Sequence, residues 1–124
     1  MPSRATASRA LSELFRVLSN PHRIRIVEHL RAGEVDVNGL QDATGLTHSN
    51  VSQHLSVLRA HRLVQERRDG RHVFYQLSQP QLADWILSGI DFIGGDIRKN
   101  PELHAVAEEA RSLWKGPSAA RVST

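Results

Sequence analysis

The sequence predicts a mainly α-helical fold that contains one small β-hairpin, an α+β class. Apolar residues recur at the three- and four-residue spacing of helices along most of the chain. The spacing changes to two between residues 63 and 77, where Asp69-Gly70 is a dipeptide typical of tight turns. The 124 residues suffice for one ordinary domain.

Two helices are expected at the start of the chain. The first runs from Ala7 to Leu18, because a stripe at helical spacing is formed by Leu11, Leu14, Phe15 and Leu18. Asn20 is a suitable N-cap and Pro21 a suitable first residue for the second helix, which Gly33 ends.

A second pair of helices follows. The segment Val37 to Thr44 predicts a short helix that Gly45 ends, and Thr47 is the expected N-cap of a longer helix that runs to about His61. The apolar stripe of the longer helix consists of Val51, Leu55 and Leu58. Two helices joined by a glycine-bearing turn are typical of a helix-turn-helix.

The remaining elements complete the prediction. Strands are expected from Leu63 to Arg68 and from His72 to Leu77, and a hairpin directly after a helix-turn-helix is a wing. A further helix carries the stripe Leu82, Ile86, Ile90 and Ile93, and a last one begins at Pro101. The expected order is α-α-α-α-β-β-α-α. Residues 9–93 form the winged domain with its dimerisation helices, 94–115 a helical extension, and 1–8 and 116–124 flexible ends.

Charge and composition exclude several classes of protein. The formal net charge is +3, but residues 1–79 contain eleven arginines and seven acids, whereas residues 80–124 contain five basic residues and six acids. The chain has no cysteine, which excludes disulfide scaffolds and thiolate metal sites. No apolar run is long enough to span a membrane and no secretory signal is visible, so we expect a cytoplasmic protein without a membrane partner.

The helix that begins after Thr47 has an unusual polar face. It carries short uncharged groups where a solvated helix usually carries Glu and Lys, and these groups match the hydrogen-bonding edges of bases in a major groove. No acid occurs between Asp42 and Glu66, and Arg59 and Arg62 lie at the helix end, where they could reach the DNA backbone. In the hairpin, Arg67, Arg68 and Arg71 suit phosphate contact or insertion into a minor groove. Double-stranded DNA is therefore the expected partner. The alternative for the hairpin arginines is a charged edge strand that prevents aggregation.

Three segments resemble the ArsR/SmtB-type winged helix repressors. They are SNVSQHLSVLR from Ser49 to Arg59, the hairpin segment from Leu63 to Leu77, and LFRVLSNPHRIRIVEHL from Leu14 to Leu30. The resemblance covers about Leu11 to Ile93. It implies a homodimer with one winged helix-turn-helix per subunit, which binds an imperfect palindrome and represses transcription.

The resemblance also assigns residues. It implies that His48, Ser49, Ser52 and Gln53 face bases, that Asn50 and His54 flank them, and that Arg68 and Arg71 belong to the wing. For His54, a hydrogen bond inside the domain is an open alternative. The implied dimer interface consists of the two apolar stripes, Leu11, Leu14, Phe15 and Leu18 with Leu82, Ile86, Ile90 and Ile93. The alternative for these stripes is an intramolecular core.

The ligands that metal-sensing relatives use are missing. Asp36-Val37-Asn38 replaces the family's Cys-Val-Cys run, and Asp84-Trp85-Ile86 lacks the histidine of the zinc site. The pair His104 and Glu108 has a ligand-like spacing that is also common by chance. We therefore predict no metal and no other cofactor. A small apolar effector in an inter-subunit pocket, or no effector, remains open; the candidate lining residues are Phe15, Trp85, Phe92 and Trp114.

Two other classes of function were considered. A winged helix can serve as a protein-interaction module without a specific DNA target, and salt dependence of DNA binding would distinguish the two. An enzyme is not expected, because no Gly-rich phosphate loop and no supported Ser/His/acid set is present. No catalytic residue is predicted.

Overall fold

A computed structural model describes residues 3–93, 100–109 and 112, and the chain divides into two compact units, Met1–Pro80 and Gln81–Thr124. It confirms the predicted fold class, a mainly helical chain with a small antiparallel sheet. The first unit contains α1 Arg4–Leu18, α2 Pro21–His29, β1 Val35–Asp36, α3 Val37–Thr44, α4 His48–Ala60, β2 Val64–Asp69 and β3 His72–Leu77, and the second begins with α5 Gln81–Ser88.

The first helix begins earlier than predicted and buries only one of its ends. Ser3 is the N-cap, and its Oγ accepts a hydrogen bond from the Thr6 N–H at 3.1 Å. Leu18 and its neighbour Val17 are buried, whereas Leu11 and Phe15 are 49% and 52% exposed. The predicted stripe therefore provides a buried end and an exposed apolar surface.

The second helix is capped as predicted. The Asn20 Oδ1 accepts from the N–H groups of His22 and Arg23 at 2.9 and 3.2 Å, and Pro21 is the first helical residue. A short 3-10 turn, Leu30–Ala32, follows α2, and Gly33 ends it at a positive φ of 141°.

The helix-turn-helix is formed by α3 and α4. Gly45 adopts the left-handed conformation with a φ of 74° and donates its N–H to the Gln41 carbonyl at 2.8 Å, which ends α3. The two helices pack on each other and on α2. Their buried side chains complete one core, whose members are Val17, Leu18, Ile26, Val27, Leu30, Leu40, Val51, Leu55, Leu58, Val64 and Leu77.

The sheet has three strands in the order β1-β3-β2, all antiparallel. The two-residue β1 was not predicted, because two residues are too few to show an alternating pattern. Asp69 pairs with His72, so the hairpin loop is Gly70-Arg71, one residue later than the predicted turn dipeptide. Gly70 has a φ of 63°, a conformation that glycine adopts without steric cost.

The second unit is less regular than predicted. After α5, a 3-10 turn covers Gly89–Phe92, so the predicted stripe does not lie on one continuous α-helix. Leu82, Ile86 and Ile90 are half-buried, and Ile93 is 40% exposed. Residues 101–109 are helical, and the Asn100 Oδ1 accepts from the Leu103 N–H at 3.2 Å.

Several predictions lie outside the described residues. These are Trp114, the predicted tail 116–124, and the parts of the predicted extension 94–115 other than 100–109 and 112. Among the helices described, none combines the length and the apolar character that crossing a membrane requires.

Candidate nucleic-acid interface

The polar face of α4 is exposed because the opposite face is anchored in the core. Val51, Leu55 and Leu58 are at most 1% exposed. The Thr47 Oγ1 accepts from the Asn50 N–H at 3.1 Å, which fixes the start of the helix. On the outer face, Ser52 is half-buried, and the exposed residues are His48, Ser49, Asn50 and Gln53. This face presents hydrogen-bonding groups, and the only formally charged residue of α4 is Arg59 near its end.

His54 lies against α2. Its ring centroid is 5.8 Å from that of His22, and its Nδ1 is buried without a hydrogen-bond partner in the part of the chain that is described. Burial lowers the pKa of His54, and the charge of Arg23 and the neighbouring His22 lower it further. The lowered pKa favours the neutral ring, and among the described residues its Nδ1 has no partner for the interior hydrogen bond that the sequence left open.

Glu66 on β2 contacts one arginine of α4 and one of its own strand. Its carboxylate accepts from Arg59 Nη1 at 3.0 Å and lies 3.5 Å from Arg68 Nε. The Tyr75 hydroxyl also donates to it at 3.1 Å, and burial together with this bond raises the pKa of Tyr75. Arg59 and Arg68, two of the arginines predicted to contact DNA, therefore share one intramolecular acid.

Arg67 is held on the other face of the hairpin. Its guanidinium makes two hydrogen bonds with Glu34, at 2.8 and 3.0 Å, and lies 4.8 Å from the centre of the Phe74 ring. The same contact lowers the pKa of Glu34. Arg67 therefore links the hairpin to the segment that precedes β1.

Arg71 differs from the other hairpin arginines. It occupies the second loop position at the tip, it is exposed, and within the described ranges it makes no ion pair or hydrogen bond. It also lines a cleft of about 160 Å³ whose other walls come from the starts of α3 and α4 and from β3. Its charge is thus available to an external anion.

The sequence did not predict that Glu66 and Glu34 would pair with the arginines, although a signal for Glu66 exists. Once the hairpin register is known, Glu66 lies directly opposite Tyr75 and on the buried side with Val64. Glu34 carries no such signal, because its pairing with Arg67 depends on the position of β1 beside β3.

The predicted candidates fall into two groups. All nine predicted DNA-binding residues and the α1 stripe belong to the first unit, whereas Leu82, Ile86, Ile90 and Ile93 belong to the second. Among the aromatic candidates for an effector pocket, Trp85 is 47% exposed and Phe92 is 89% exposed.

The segment Asp36-Val37-Asn38, where the resemblance implied a metal-binding run, caps and begins α3 instead. Asp36 is the N-cap of α3, and its Oδ1 accepts from the Gly39 N–H at 2.8 Å. Val37 and Asn38 supply no thiolate or imidazole. Within the described residues, no three His, Asp or Glu side chains are grouped so that they could hold a metal ion.

Comparison with known proteins gives consistent results. The family profile described as "bacterial regulatory protein, arsR family" matches residues 20–66. The chain is 40% identical to the HTH-type transcriptional repressor SmtB of Mycobacterium tuberculosis over 87 residues, which are 70% of this chain and 64% of SmtB. It is 36% identical to the HTH-type transcriptional regulator KmtR of the same organism over 78 residues, 63% of this chain and 60% of KmtR. The matched part therefore spans less than two thirds of these relatives.

A solved structure is matched over almost its whole length. NolR from Sinorhizobium fredii superposes with a TM-score of 0.64 at 32% identity, and the alignment covers 75% of this chain and 92% of NolR. The sequence and the fold therefore match the same group of proteins.

Proposed function

Because the chain belongs to the ArsR family of bacterial regulatory proteins, we propose that it is a homodimeric repressor that binds a palindromic operator. The family consists of transcriptional regulators, and the relative SmtB is named a repressor. In this proposal α4 enters the major groove and the hairpin tip contacts the backbone.

The exposed face of α4 is the observation that carries the proposal. His48, Ser49, Ser52 and Gln53 offer donors and acceptors without a formal negative charge, and the helix that carries them is capped and anchored by three buried residues. A glutamine can contact adenine with two hydrogen bonds, and hydroxyl groups pair with several base edges. Asn50 flanks this set, and we assign His54 to the support of α4 rather than to bases.

We rank the arginines as contacts to the DNA backbone by whether an intramolecular acid already pairs with them. Arg71 has no intramolecular partner within the described residues, so phosphate does not have to displace an acid from it. Arg59 and Arg68 would have to exchange Glu66 for phosphate, although their side chains are 60% and 73% exposed. We expect Arg71 to contribute most to the backbone contacts.

The exposed apolar residues support a homodimer. Leu11 and Phe15 on α1, and Trp85 and Ile93 in the second unit, are each at least 40% exposed. Large apolar side chains in such number are typical of surfaces that another chain covers. We propose that the exposed residues of the two predicted stripes pack against those of a second copy, whereas Leu18 belongs to the core of its own subunit. The resulting dimer presents its two α4 helices to half-sites about 34 Å apart.

Selection from a random library of DNA duplexes tests the DNA-binding proposal. We expect enrichment of an inverted repeat, and we expect Gln53→Ala to lower the preference for the selected duplex over a scrambled one by about 1–3 kcal/mol. Gln79→Ala is the matched control, since Gln79 is an equally exposed glutamine in the segment between β3 and α5.

Two outcomes would contradict the proposal. Failure to enrich any sequence at moderate salt would exclude a specific operator, and DNA binding that barely responds to salt would favour a protein-interaction module. An unchanged preference in Gln53→Ala would exclude the assigned base contact alone.

Sedimentation at several protein concentrations tests the dimer. Leu11→Glu places a charge in the exposed α1 surface, so we expect it to give monomers, whereas Ser12→Glu on the same helix stays dimeric. A wild-type monomer at all concentrations, or a Leu11→Glu dimer, would contradict the assigned interface.

A further inference from the structure

The cleft at the hairpin tip has an unusual set of polar walls. Asp36 and Asn38 contribute from the start of α3, His48 from the start of α4, and Arg71 and His72 from the hairpin, together with two valines. Its volume of about 160 Å³ is smaller than the roughly 300 Å³ at which small-molecule sites begin. The cleft thus suits one compact group better than an apolar effector.

A protonated imidazole adds to the positive charge that Arg71 already offers an anion at the cleft. Arg71 supplies one positive charge and Asp36 one negative charge, and the Asp36 Oδ1 is already bonded to the Gly39 N–H. Asp69, which pairs with His72 across the hairpin, is 3.9 Å from Arg67. His48 and His72 are both exposed, and each adds a positive charge and a second donor when it is protonated.

The position of the cleft identifies the anion. His48 is the first residue of α4, and the next turn carries Ser49 and Gln53, which the proposed function places in the major groove. A helix in that groove has a DNA backbone passing beside its start, where phosphates fix the register of the complex.

We propose that this cleft binds one backbone phosphate of the duplex through Arg71 and His72, beside the base-facing His48, and that DNA affinity consequently rises in mildly acidic solution. The inference rests on the proposed function and adds to it a residue, His72, and a dependence on pH. Since phosphates are the same in every sequence, the effect applies to operator and scrambled DNA alike.

Fluorescence anisotropy with a labelled scrambled duplex and with the selected operator, at pH 8.0 and 6.0, tests the proposal. For the wild type, acidification should tighten both complexes by about two- to fivefold, the range of one exposed ion pair. His72→Gln should lose most of this gain and keep its affinity at pH 8.0. His104→Gln, an exposed histidine in the second unit, should retain the gain.

The outcomes separate this inference from the proposed function. If His72→Gln keeps the full gain, or if the wild type shows none, the cleft is not the phosphate site, although DNA binding stands. If the wild type binds neither duplex, the proposed function fails and the inference fails with it. Inorganic phosphate could also shift the imidazole NMR signals of His48 and His72 in a saturable way without weakening DNA binding. In that case the cleft binds a free anion rather than a DNA phosphate, and the inference is overturned.

Discussion

The helix α4 and the hairpin that follows it differ in the charge of their exposed residues and in the contacts that hold them in place. In α4 the exposed residues are nearly all uncharged, and the helix is held by apolar residues on its other side. In the hairpin five of the fourteen residues from Val64 to Leu77 are charged, and four of these five have an ionic partner within the chain. Among the described residues, Arg71 at the tip is the exception.

This comparison shows that a count of arginines overstates the positive charge available to DNA. Glu66 forms ion pairs with Arg59 and Arg68, and Glu34 forms one with Arg67. These pairs give the hairpin a fixed shape, which places Arg71 beside the start of α4.

Removal of a core side chain from α4 should have the largest effect. Leu55 is 1% exposed, so Leu55→Ala should lower the free energy of unfolding by about 2–5 kcal/mol. Ser56→Ala, on the exposed side of the same helix, should change it by less than about 0.5 kcal/mol. Urea unfolding measures both, and equal losses would show that the two faces of α4 are not distinct.

Release of the two paired arginines should make the hairpin bind DNA more tightly. Glu66→Gln keeps an acceptor for Tyr75 but frees Arg59 and Arg68, so the affinity for scrambled DNA at low salt should rise by about two- to fivefold. Glu102→Gln makes the same change of charge at an exposed position of the second unit. An equal rise in both variants would indicate that net charge alone is responsible.

The junction between α4 and the hairpin contains a strained residue. Arg62 has a φ of 61°, and the next N–H, of Leu63, bonds to the Leu58 carbonyl at 2.9 Å, as at many helix ends that use glycine. Arg62→Gly should therefore raise the free energy of unfolding by about 0.5–1 kcal/mol. Arg31→Gly, in a 3-10 turn without a positive φ, should not stabilise the protein.

The pH dependence of stability should report on the supporting side of α4. The folded state binds a proton at His54 less readily than the unfolded chain, whose histidines titrate near pH 6.5. The contribution of neutral His54 is therefore complete above pH 6.5 and is lost as the pH falls toward its lowered pKa. His54→Gln should slightly reduce the dependence of the free energy of unfolding on pH in this range, and His104→Gln should not. A wild-type profile that rises on acidification would contradict this account.

Local signals predicted the elements of the first unit well. Asn20, Gly45 and Thr47 act as caps where the sequence predicted them, and Val51, Leu55 and Leu58 are buried as their spacing indicated. Each of these signals depends on residues within one or two helical turns. The α1 stripe was only partly predicted, because spacing cannot show which apolar residues face this core and which remain exposed.

The pairing of side chains could not be predicted to the same extent. The contact between Glu34 and Arg67 joins residues 33 positions apart, and β1 is too short to reveal the strand that brings them together. The cleft combines α3, α4 and the hairpin, so its lining residues follow only from the packing of all three. The free state of Arg71 likewise became evident only when the partners of the other arginines were known.

The most direct test of the account compares two hairpin arginines by the salt dependence of DNA binding. The affinity for a scrambled duplex should be measured between low and moderate salt for Arg71→Ala, Arg67→Ala and the wild type. We predict that Arg71→Ala reduces the magnitude of the slope of log affinity against log salt by about 0.9, one phosphate contact. Arg67→Ala should leave the slope unchanged and lower stability instead, because Arg67 is paired with Glu34. Equal slopes for Arg71→Ala and the wild type, or a reduced slope only in Arg67→Ala, would contradict the account.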